Sequence, residues 1–229
     1  MAEGARKINW FAIIVSAAVV VALIIAAIVV ISLNNGGGDP EPGQTPSASN
    51  IETETGAILV GDGANRLDTF IDFMCPICNR FEQEYGSAVD DLVEDGTITH
   101  GIHPIAILDS RSQGTEFSTR AANAMYCVAV ADAAASVPFM NAMFARQPPE
   151  GTPGLSNGQI LEIAGSVGVD GIDSCVEDAI YADYVTAMTQ ETPVQPGAGG
   201  IGTPTIAVDG EVISNSTLPA PADLASLFE

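Results

Sequence analysis

The sequence predicts an α/β domain with an inserted block of helices, preceded by one membrane-spanning helix. Two β-type segments, at residues 67–73 and 97–108, flank a segment whose apolar residues recur with the period of an α-helix. A long alanine-rich stretch between residues 111 and 190 favours helices. Near the N-terminus, residues 10–33 form one continuous apolar run. Together these observations predict the α/β fold class with a helical insertion.

The apolar run at residues 10–33 contains no charged residue. As a helix it would rise roughly 36 Å, against a hydrocarbon core of about 30 Å. Secretory signals have an apolar stretch of only about 7–15 residues, so this run predicts an uncleaved signal anchor. Arg6 and Lys7 precede the run, whereas the flank after it has no basic residue. This asymmetry predicts a single-pass protein of the cell membrane with a cytoplasmic tail at residues 1–9 and an extracytoplasmic C-terminal domain.

The composition of the rest of the chain limits its partners. Residues 34–50 are rich in Gly, Pro, Ser and Thr, which is typical of a flexible linker, and residues 51–229 remain as one domain. The formal net charge of −22 argues against nucleic acid, whose binding needs basic residues. It also argues against docking on an anionic lipid surface and favours a solvated exterior that keeps the domain soluble.

The strands and helices of the domain follow from local patterns. Residues 56–60 and 67–73 are predicted as strands. Pro76 suits the first position of a helix over residues 75–93, because its missing N–H would be unpaired there anyway. A further strand is expected within residues 97–108, which gives a parallel β-α-β unit.

The second half of the chain is predicted to be helical and then to end in a hairpin. Asp209-Gly210 is a turn signal between two short apolar segments. We expect helices at residues 115–135, 137–145, 157–167 and 171–190, strands at 205–208 and 211–213, and a short helix at 221–228.

The chemistry of the domain centres on Cys75 and Cys78, a C-x-x-C pair at the end of a strand and the start of a helix. A helix N-terminus presents free N–H groups and a partial positive charge, which stabilise a thiolate. Cys75 is therefore expected to be the attacking sulfur and Cys78, one turn further on, the resolving sulfur. Zinc would need two more ligands, and His100 and His103, the only histidines, would point to opposite faces of a strand. Metal binding and a purely structural disulfide remain as alternatives.

Two motifs in this context resemble the thioredoxin superfamily, and within it the DsbA-like extracytoplasmic thiol-disulfide oxidoreductases. They are F-x-D-F-M-C-P-I-C-x-x-F at residues 70–81 and G-T-P-T at residues 202–205. The central pair Pro76-Ile77 looks like that of DsbA, whereas thioredoxin has Gly-Pro. The resemblance implies that Pro204 is a cis-proline beside the cysteines and that Thr203 offers its backbone to an extended substrate. It also implies that residues 111–190 are the inserted helical domain of DsbA-like members.

The sequence departs from the family pattern at two positions. Ile77 stands where DsbA has histidine, and since it has no hydrogen-bond donor we expect weaker stabilisation of the Cys75 thiolate. Thr69 stands where the family has a buried acid, six residues before the first cysteine. Asp68 and Asp72 alternate onto the other face of the strand, and we expect a structural role for Asp72 rather than one in proton transfer.

The other two cysteines, Cys127 and Cys175, fall on two predicted helices of the inserted block. All four cysteines follow the predicted membrane span, so they lie in an oxidising compartment, where thiol pairs become disulfides. We therefore expect a Cys127–Cys175 bridge, with free buried thiols as the alternative. The resemblance supports the bridge, because anchored members of the family often carry a second pair.

These observations predict an enzyme that forms disulfides in reduced exported polypeptides without a cofactor or metal. The resemblance implies a membrane quinone-linked thiol oxidase as the redox partner. A disulfide reductase or isomerase of the same fold remains the alternative within the enzyme class. From other classes, a metal chaperone using Cys75, Cys78 and a histidine, and a scaffold without redox chemistry, remain open.

Overall fold

A six-stranded mixed sheet forms the centre of the domain in the computed structural model, which describes residues 43–229. The strand order is β1-β2-β4-β3-β5-β6, and only β3 and β4 are parallel neighbours. The helix α1, Pro76–Glu94, connects β3 to β4, so the predicted β-α-β unit is confirmed. The strands are β1 Ile51–Glu52, β2 Ala57–Val60, β3 Asn65–Ile71, β4 Ile98–Pro104, β5 Thr205–Val208 and β6 Glu211–Ile213.

The inserted block lies between β4 and β5, as predicted. Its helices are α2 Phe117–Ala131, α3 Ser136–Ala145, α4 Asn157–Ser166, α5 Asp173–Glu177 and α6 Ala182–Gln190. Short 3-10 turns occur at Asp109–Arg111, Ala133–Ala135 and Asn215–Thr217. The predicted last short helix is present as a 3-10 helix, Pro221–Phe228.

The prediction of one helix over residues 171–190 is wrong, because the chain breaks between α5 and α6. Ala179 has a left-handed backbone with φ of 52°. The side chain of buried Asn123 forms hydrogen bonds with backbone groups at the break. Its Oδ1 accepts from the Tyr181 N–H at 2.7 Å, and its Nδ2 donates to the Cys175 carbonyl at 3.1 Å. These bonds stabilise two short helices where the local sequence favours one.

The buried side chains form two clusters. The larger one joins the inserted helices to Ile58, Ile71 and Ile102 of the sheet. The smaller one packs α1 and the C-terminal turn against Leu67, Ile98 and Ile206, with Phe81, Val89, Leu92 and Leu224 as its remaining buried members. Both clusters include a residue of β3, Ile71 in the larger and Leu67 in the smaller. This strand is therefore packed against both α1 and the inserted helices.

Residues at the end of the segment predicted as a linker pack against the domain. The backbone N–H groups of Gly43 and Gln44 both donate to the Ile180 carbonyl, at 3.1 and 3.2 Å, and Asn50 Nδ2 donates to the Ala129 carbonyl at 3.3 Å. Within residues 43–229 no helix is both long and apolar enough to cross a membrane. The predicted span at residues 10–33 and the predicted cytoplasmic tail lie outside the described residues.

Candidate active site

Cys75 occupies the junction between β3 and α1. It is the N-cap residue of α1, in extended conformation, and Pro76 follows as the first helical residue. Its own N–H donates to the Asp72 carbonyl at 2.9 Å, and its carbonyl accepts from the Asn79 N–H at 3.2 Å. The strand thus delivers the sulfur to the end of a helix where backbone N–H groups have no partner within the helix.

The two thiols are free and differ strongly in their environments. A hydrogen bond from the Cys78 thiol, together with the N–H groups of Cys78 and Ile77, lowers the pKa of Cys75 despite its burial. Burial raises the pKa of Cys78 well above its ordinary value, and the neighbouring Cys75 sulfur raises it further. Cys75 is therefore the member of the pair that becomes a thiolate, while Cys78 keeps its proton.

The Thr203–Pro204 pair lies directly against both sulfurs, and its peptide bond is cis. Cys75 Sγ is 3.5 Å from the Thr203 carbonyl oxygen, and Cys78 Sγ is 2.9 Å from Thr203 Oγ1. Either the Cys78 thiol or the Thr203 hydroxyl can donate across the shorter contact, and the hydroxyl also lies 3.1 Å from the Phe70 carbonyl oxygen. The structure thus brings together the four residues that the sequence assigns to catalysis and substrate binding.

Asp72 fixes the end of β3 from within the domain. This fully buried carboxylate accepts three hydrogen bonds: from the Met74 N–H at 2.9 Å, the Leu108 N–H at 2.9 Å and the Ser118 hydroxyl at 2.7 Å. Burial raises its pKa to about 6 against the lowering effect of these bonds. The contacts join the loop that carries Cys75 to the start of the inserted helices, which suits the expected structural role of Asp72.

Gln147, which the sequence gives no reason to select, also holds this loop. Its Nε2 donates to the carbonyls of Phe73 and Cys75, at 3.0 and 2.9 Å, and its Oε1 accepts from Asn79 Nδ2 at 3.1 Å. A glutamine that directly precedes two prolines looks like an ordinary loop residue. Only the packing of α3 against α1 places it beside the cysteines.

An uncharged pair occupies the position of the family's buried acid. Thr69 is fully buried, and its Oγ1 lies 2.8 Å from Nε2 of His100. Burial lowers the pKa of His100 to about 4, so its imidazole is neutral at physiological pH. The nearest acid in sequence, Asp68, lies on the other face of β3. There, His103 and Arg66 lower its pKa in spite of burial.

The two histidines lie on opposite faces of the sheet, as predicted. His103 Nε2 is 2.8 Å from Asp68 and its Nδ1 is 3.2 Å from the Thr55 carbonyl, whereas His100 faces Thr69. Among residues 43–229 no group of three or more His, Cys, Asp or Glu side chains is arranged to hold a metal ion.

Apolar residues are exposed between the two cysteines in the sequence and in the loop before Thr203. Ile77 is 46% exposed, and Val194 and Ile201 in the loop before Thr203 are also exposed. A cleft of about 170 Å³ beside Ile77 is lined by Pro204, Tyr85 and Leu218. This surface can take the apolar side chains of a polypeptide that lies against the Thr203–Pro204 loop.

In the inserted block, the predicted Cys127–Cys175 bridge is present and joins α2 to α5. The two residues are 48 positions apart in the sequence and both are buried. This disulfide lies in the helical block, whereas the free pair lies at the start of α1.

Comparison with known proteins shows which family this fold and site belong to. A sequence model described as thioredoxin matches residues 55–224. The reduced crystal structure of DsbA from Mycobacterium tuberculosis is 29% identical, with a TM-score of 0.65 over 75% of this chain and 90% of that one. The reduced disulfide bond oxidoreductase DsbG of the same organism is 28% identical, with a TM-score of 0.63 over 82% and 88%. The MdbA thiol-disulfide oxidoreductase of Actinomyces oris, at 22% identity and a TM-score of 0.62, shares the fold.

Among curated proteins, the chain is 29% identical over 183 residues to the serine/threonine-protein kinase PknE of M. tuberculosis. The match covers 76% of this chain but only 32% of the kinase, so the similarity concerns about a third of that protein.

The fold and the site define a DsbA-like thiol-disulfide oxidoreductase: a sheet that delivers a C-P-I-C pair to a helix N-terminus beside a cis Thr-Pro loop, with a helical insertion. The chain belongs to the thioredoxin family.

Proposed function

We propose that this chain forms disulfides in reduced exported polypeptides by thiol-disulfide exchange at Cys75 and Cys78. The observation that carries the proposal is the asymmetry of the pair: the pKa of Cys75 is lowered at the start of α1, while burial raises that of Cys78. Both sulfurs face the Thr203–Pro204 loop. An extended substrate strand lies along this loop and the apolar surface around Ile77.

The reaction begins with the Cys75–Cys78 disulfide. A substrate thiolate attacks Cys75 Sγ, forming a mixed disulfide and breaking the bond to Cys78, whose sulfur takes up a proton. A second substrate thiolate then attacks the substrate's own sulfur and releases Cys75 as a thiolate. The substrate loses two electrons, and the cysteine pair gains them.

The lowered pKa of Cys75 supports the oxidising direction. Groups that stabilise the reduced form of the pair make its disulfide a stronger oxidant, and the Cys78 thiol together with the N–H groups of Cys78 and Ile77 stabilises the Cys75 thiolate. The reduced pair then has to be oxidised again, and a membrane quinone-linked thiol oxidase is the partner that we propose for this step. The signal anchor at residues 10–33 would hold the domain on the extracytoplasmic side of the cell membrane.

Trapping of mixed disulfides tests the proposal. In the variant Cys78→Ala, the Cys75 thiolate should attack a disulfide of an exported protein, displace one substrate sulfur as a thiolate and remain in a mixed disulfide that Cys78 would otherwise break. These covalent complexes should be visible on non-reducing gels and lost with reductant. Cys75→Ala should give few complexes, because Cys78 is fully buried. The variant Cys127→Ser with Cys175→Ser serves as the control that leaves the redox pair intact.

Other outcomes distinguish the alternatives. Equal trapping by both single variants, or none by either, would remove the assignment to thiol exchange. The thiol state of the Cys75–Cys78 pair in cells tests the direction: a mainly oxidised pair supports the oxidase, and a mainly reduced pair would instead indicate a reductase or isomerase.

A further inference from the structure

A second, larger cavity of about 740 Å³ opens on the face of the sheet opposite α1. Asp68 and Phe70 of β3 line it, and along the strand they alternate with Leu67, which packs against α1. Its volume lies in the range of about 300–1,000 Å³ that is typical of ligand sites. Neither cysteine and neither residue of the Thr203–Pro204 pair lines it. The cavity is therefore separate from the candidate active site.

The floor of the cavity is apolar, aromatic and fixed in place. The ring of Phe70 stacks on His103 with centroids 4.0 Å apart and an interplanar angle of 18°. His103 is held through both ring nitrogens, by Asp68 and by the Thr55 carbonyl. Met188 of α6 and Val212 of β6 extend the apolar surface. A ligand would thus meet a preformed surface rather than a mobile loop.

The rim of the cavity is acidic. Five carboxylates line it, against the single guanidinium of Arg66. That guanidinium is already engaged by Asp68 at 2.8 Å and by Glu52 at 3.3 Å. Glu54 and Glu191 are exposed and have no side-chain hydrogen bond or ion pair with any residue from 43 to 229. Two negative charges at the mouth are therefore available to an incoming cation.

We propose that this cavity binds a basic polypeptide segment in which arginine or lysine stands next to aliphatic or aromatic residues. The apolar side chains pack on Phe70, Met188 and Val212, and the cationic groups pair with Glu54 and Glu191. A guanidinium or ammonium group is also attracted to the face of an aromatic ring such as Phe70. The proposal concerns binding alone and does not depend on thiol exchange at Cys75.

The charges of the cavity and of the chain favour a basic polypeptide segment over an anionic ligand or a second copy of this chain. An anionic ligand would meet the carboxylates of the rim and find Arg66 already paired. A second copy of this chain offers few cations, since residues 43–229 contain five arginines and no lysine. Of these, Arg66 lines the cavity itself, and Arg120 is held by the carbonyls of Thr115 and Leu155.

Cysteine-free probe peptides test the proposal on the full-length chain reconstituted in zwitterionic nanodiscs. The blocked peptide Leu-Arg-Phe-Arg-Leu should bind more tightly than Leu-Gln-Phe-Gln-Leu, measured by fluorescence anisotropy of labelled peptide, and its advantage should shrink at high salt. The double variant Glu54→Gln, Glu191→Gln should weaken binding of the basic peptide about fivefold. Phe70→Leu should weaken it about threefold, since it keeps apolar volume but removes the ring.

The matched control is the double variant Glu94→Gln, Glu177→Gln, which neutralises two exposed carboxylates outside the cavity and should leave the affinity unchanged. Equal binding of the basic and neutral peptides would overturn the proposal. So would equal losses in the two double variants, because the general negative charge of the protein would then account for binding. A concentration-dependent dimer that Glu54→Gln, Glu191→Gln dissociates would assign the cavity to a second copy and equally overturn it.

Discussion

At the scale of single residues, the loop around Cys75 is held by side chains that come from far along the chain. Gln147 donates to the carbonyls of Phe73 and Cys75, and Asp72 accepts from Leu108 and Ser118. The cysteine motif and Pro204 could be predicted from the sequence, because their spacing is local and characteristic. Gln147 could not, since its role depends on a contact between residues more than seventy positions apart.

Replacing Gln147 with alanine should loosen this loop. The Cys75 carbonyl would keep the Asn79 N–H, whereas the Phe73 carbonyl would lose its donor, and leaving a partly buried acceptor unpaired costs about 1–3 kcal/mol of unfolding free energy. The N–H groups around Cys75 would also be less well fixed, so its pKa should rise. Urea unfolding and the pH dependence of Cys75 alkylation measure the two effects. Gln190→Ala, an exposed glutamine at the end of α6, is the control, and equal effects in both variants would contradict the positioning role.

The buried carboxyl of Asp72 should make stability depend on pH. Its pKa is raised from 3.8 to about 6 in the folded protein, so the folded state holds the proton more tightly than the unfolded chain does. This contribution to stability is fully present below about pH 4 and is lost as the pH rises through about 6, an effect on the order of 3 kcal/mol. Asp72→Asn should remove this dependence.

Urea unfolding of the wild type and of Asp72→Asn across this pH range measures the difference. Taking the difference matters because burial also raises the pKa of Glu82, to about 7, so that Glu82 titrates in a neighbouring window in both proteins. Parallel stability curves for the two proteins would show that Asp72 does not titrate as its burial requires.

At the scale of elements, some are determined by the local sequence pattern and others by tertiary contacts. The β-α-β unit follows from the helical period of residues 76–94 between two β-type segments, and the final hairpin follows from Asp209-Gly210, both of which have positive φ as their turn requires. The strand β1 has two residues and exists only because it pairs with β2, so no periodicity could indicate it. The break between α5 and α6 depends on Asn123, a residue of α2.

The Cys127–Cys175 disulfide should support the inserted helices without taking part in exchange. Replacing both cysteines with serine should lower the free energy of unfolding by about 4 kcal/mol, since the bridge closes a loop of 48 positions. Reduction of the Cys75–Cys78 disulfide should keep its rate, because the two pairs belong to different elements.

Chemical unfolding and stopped-flow reduction of the double serine variant measure these two quantities. The variant Cys75→Ser with Cys78→Ser is the control, which keeps the bridge between α2 and α5. Loss of exchange activity in a variant that is still folded would mean that the bridge acts on the active site as well as on the insertion.

At the scale of the whole molecule, the acidity of the chain limits its partners. A formal net charge of −22 leaves few cations to attract nucleic acid or anionic lipid. The two cavities lie in different places on this acidic domain: the small one adjoins Ile77 and Pro204, and the large one lies on the sheet face that carries Phe70.

The predicted orientation can be tested in cells. Arg6 and Lys7 precede the apolar run at residues 10–33, and no basic residue lies in the flank that follows, so the domain should face outward. Protease added to spheroplasts should digest the domain or the segment before it and leave a small membrane-held remnant, detected with an N-terminal tag. Substituting Arg6 and Lys7 with glutamate, while adding two lysines within residues 34–39, should reverse or scramble the orientation and protect the domain.

A cytoplasmic marker protein that stays intact in the same sample is the control for lysis. A wild-type domain that resists protease until the membrane is dissolved, yet is digested readily afterwards, would contradict the outward orientation and with it the oxidising compartment in which the Cys75–Cys78 pair is proposed to act.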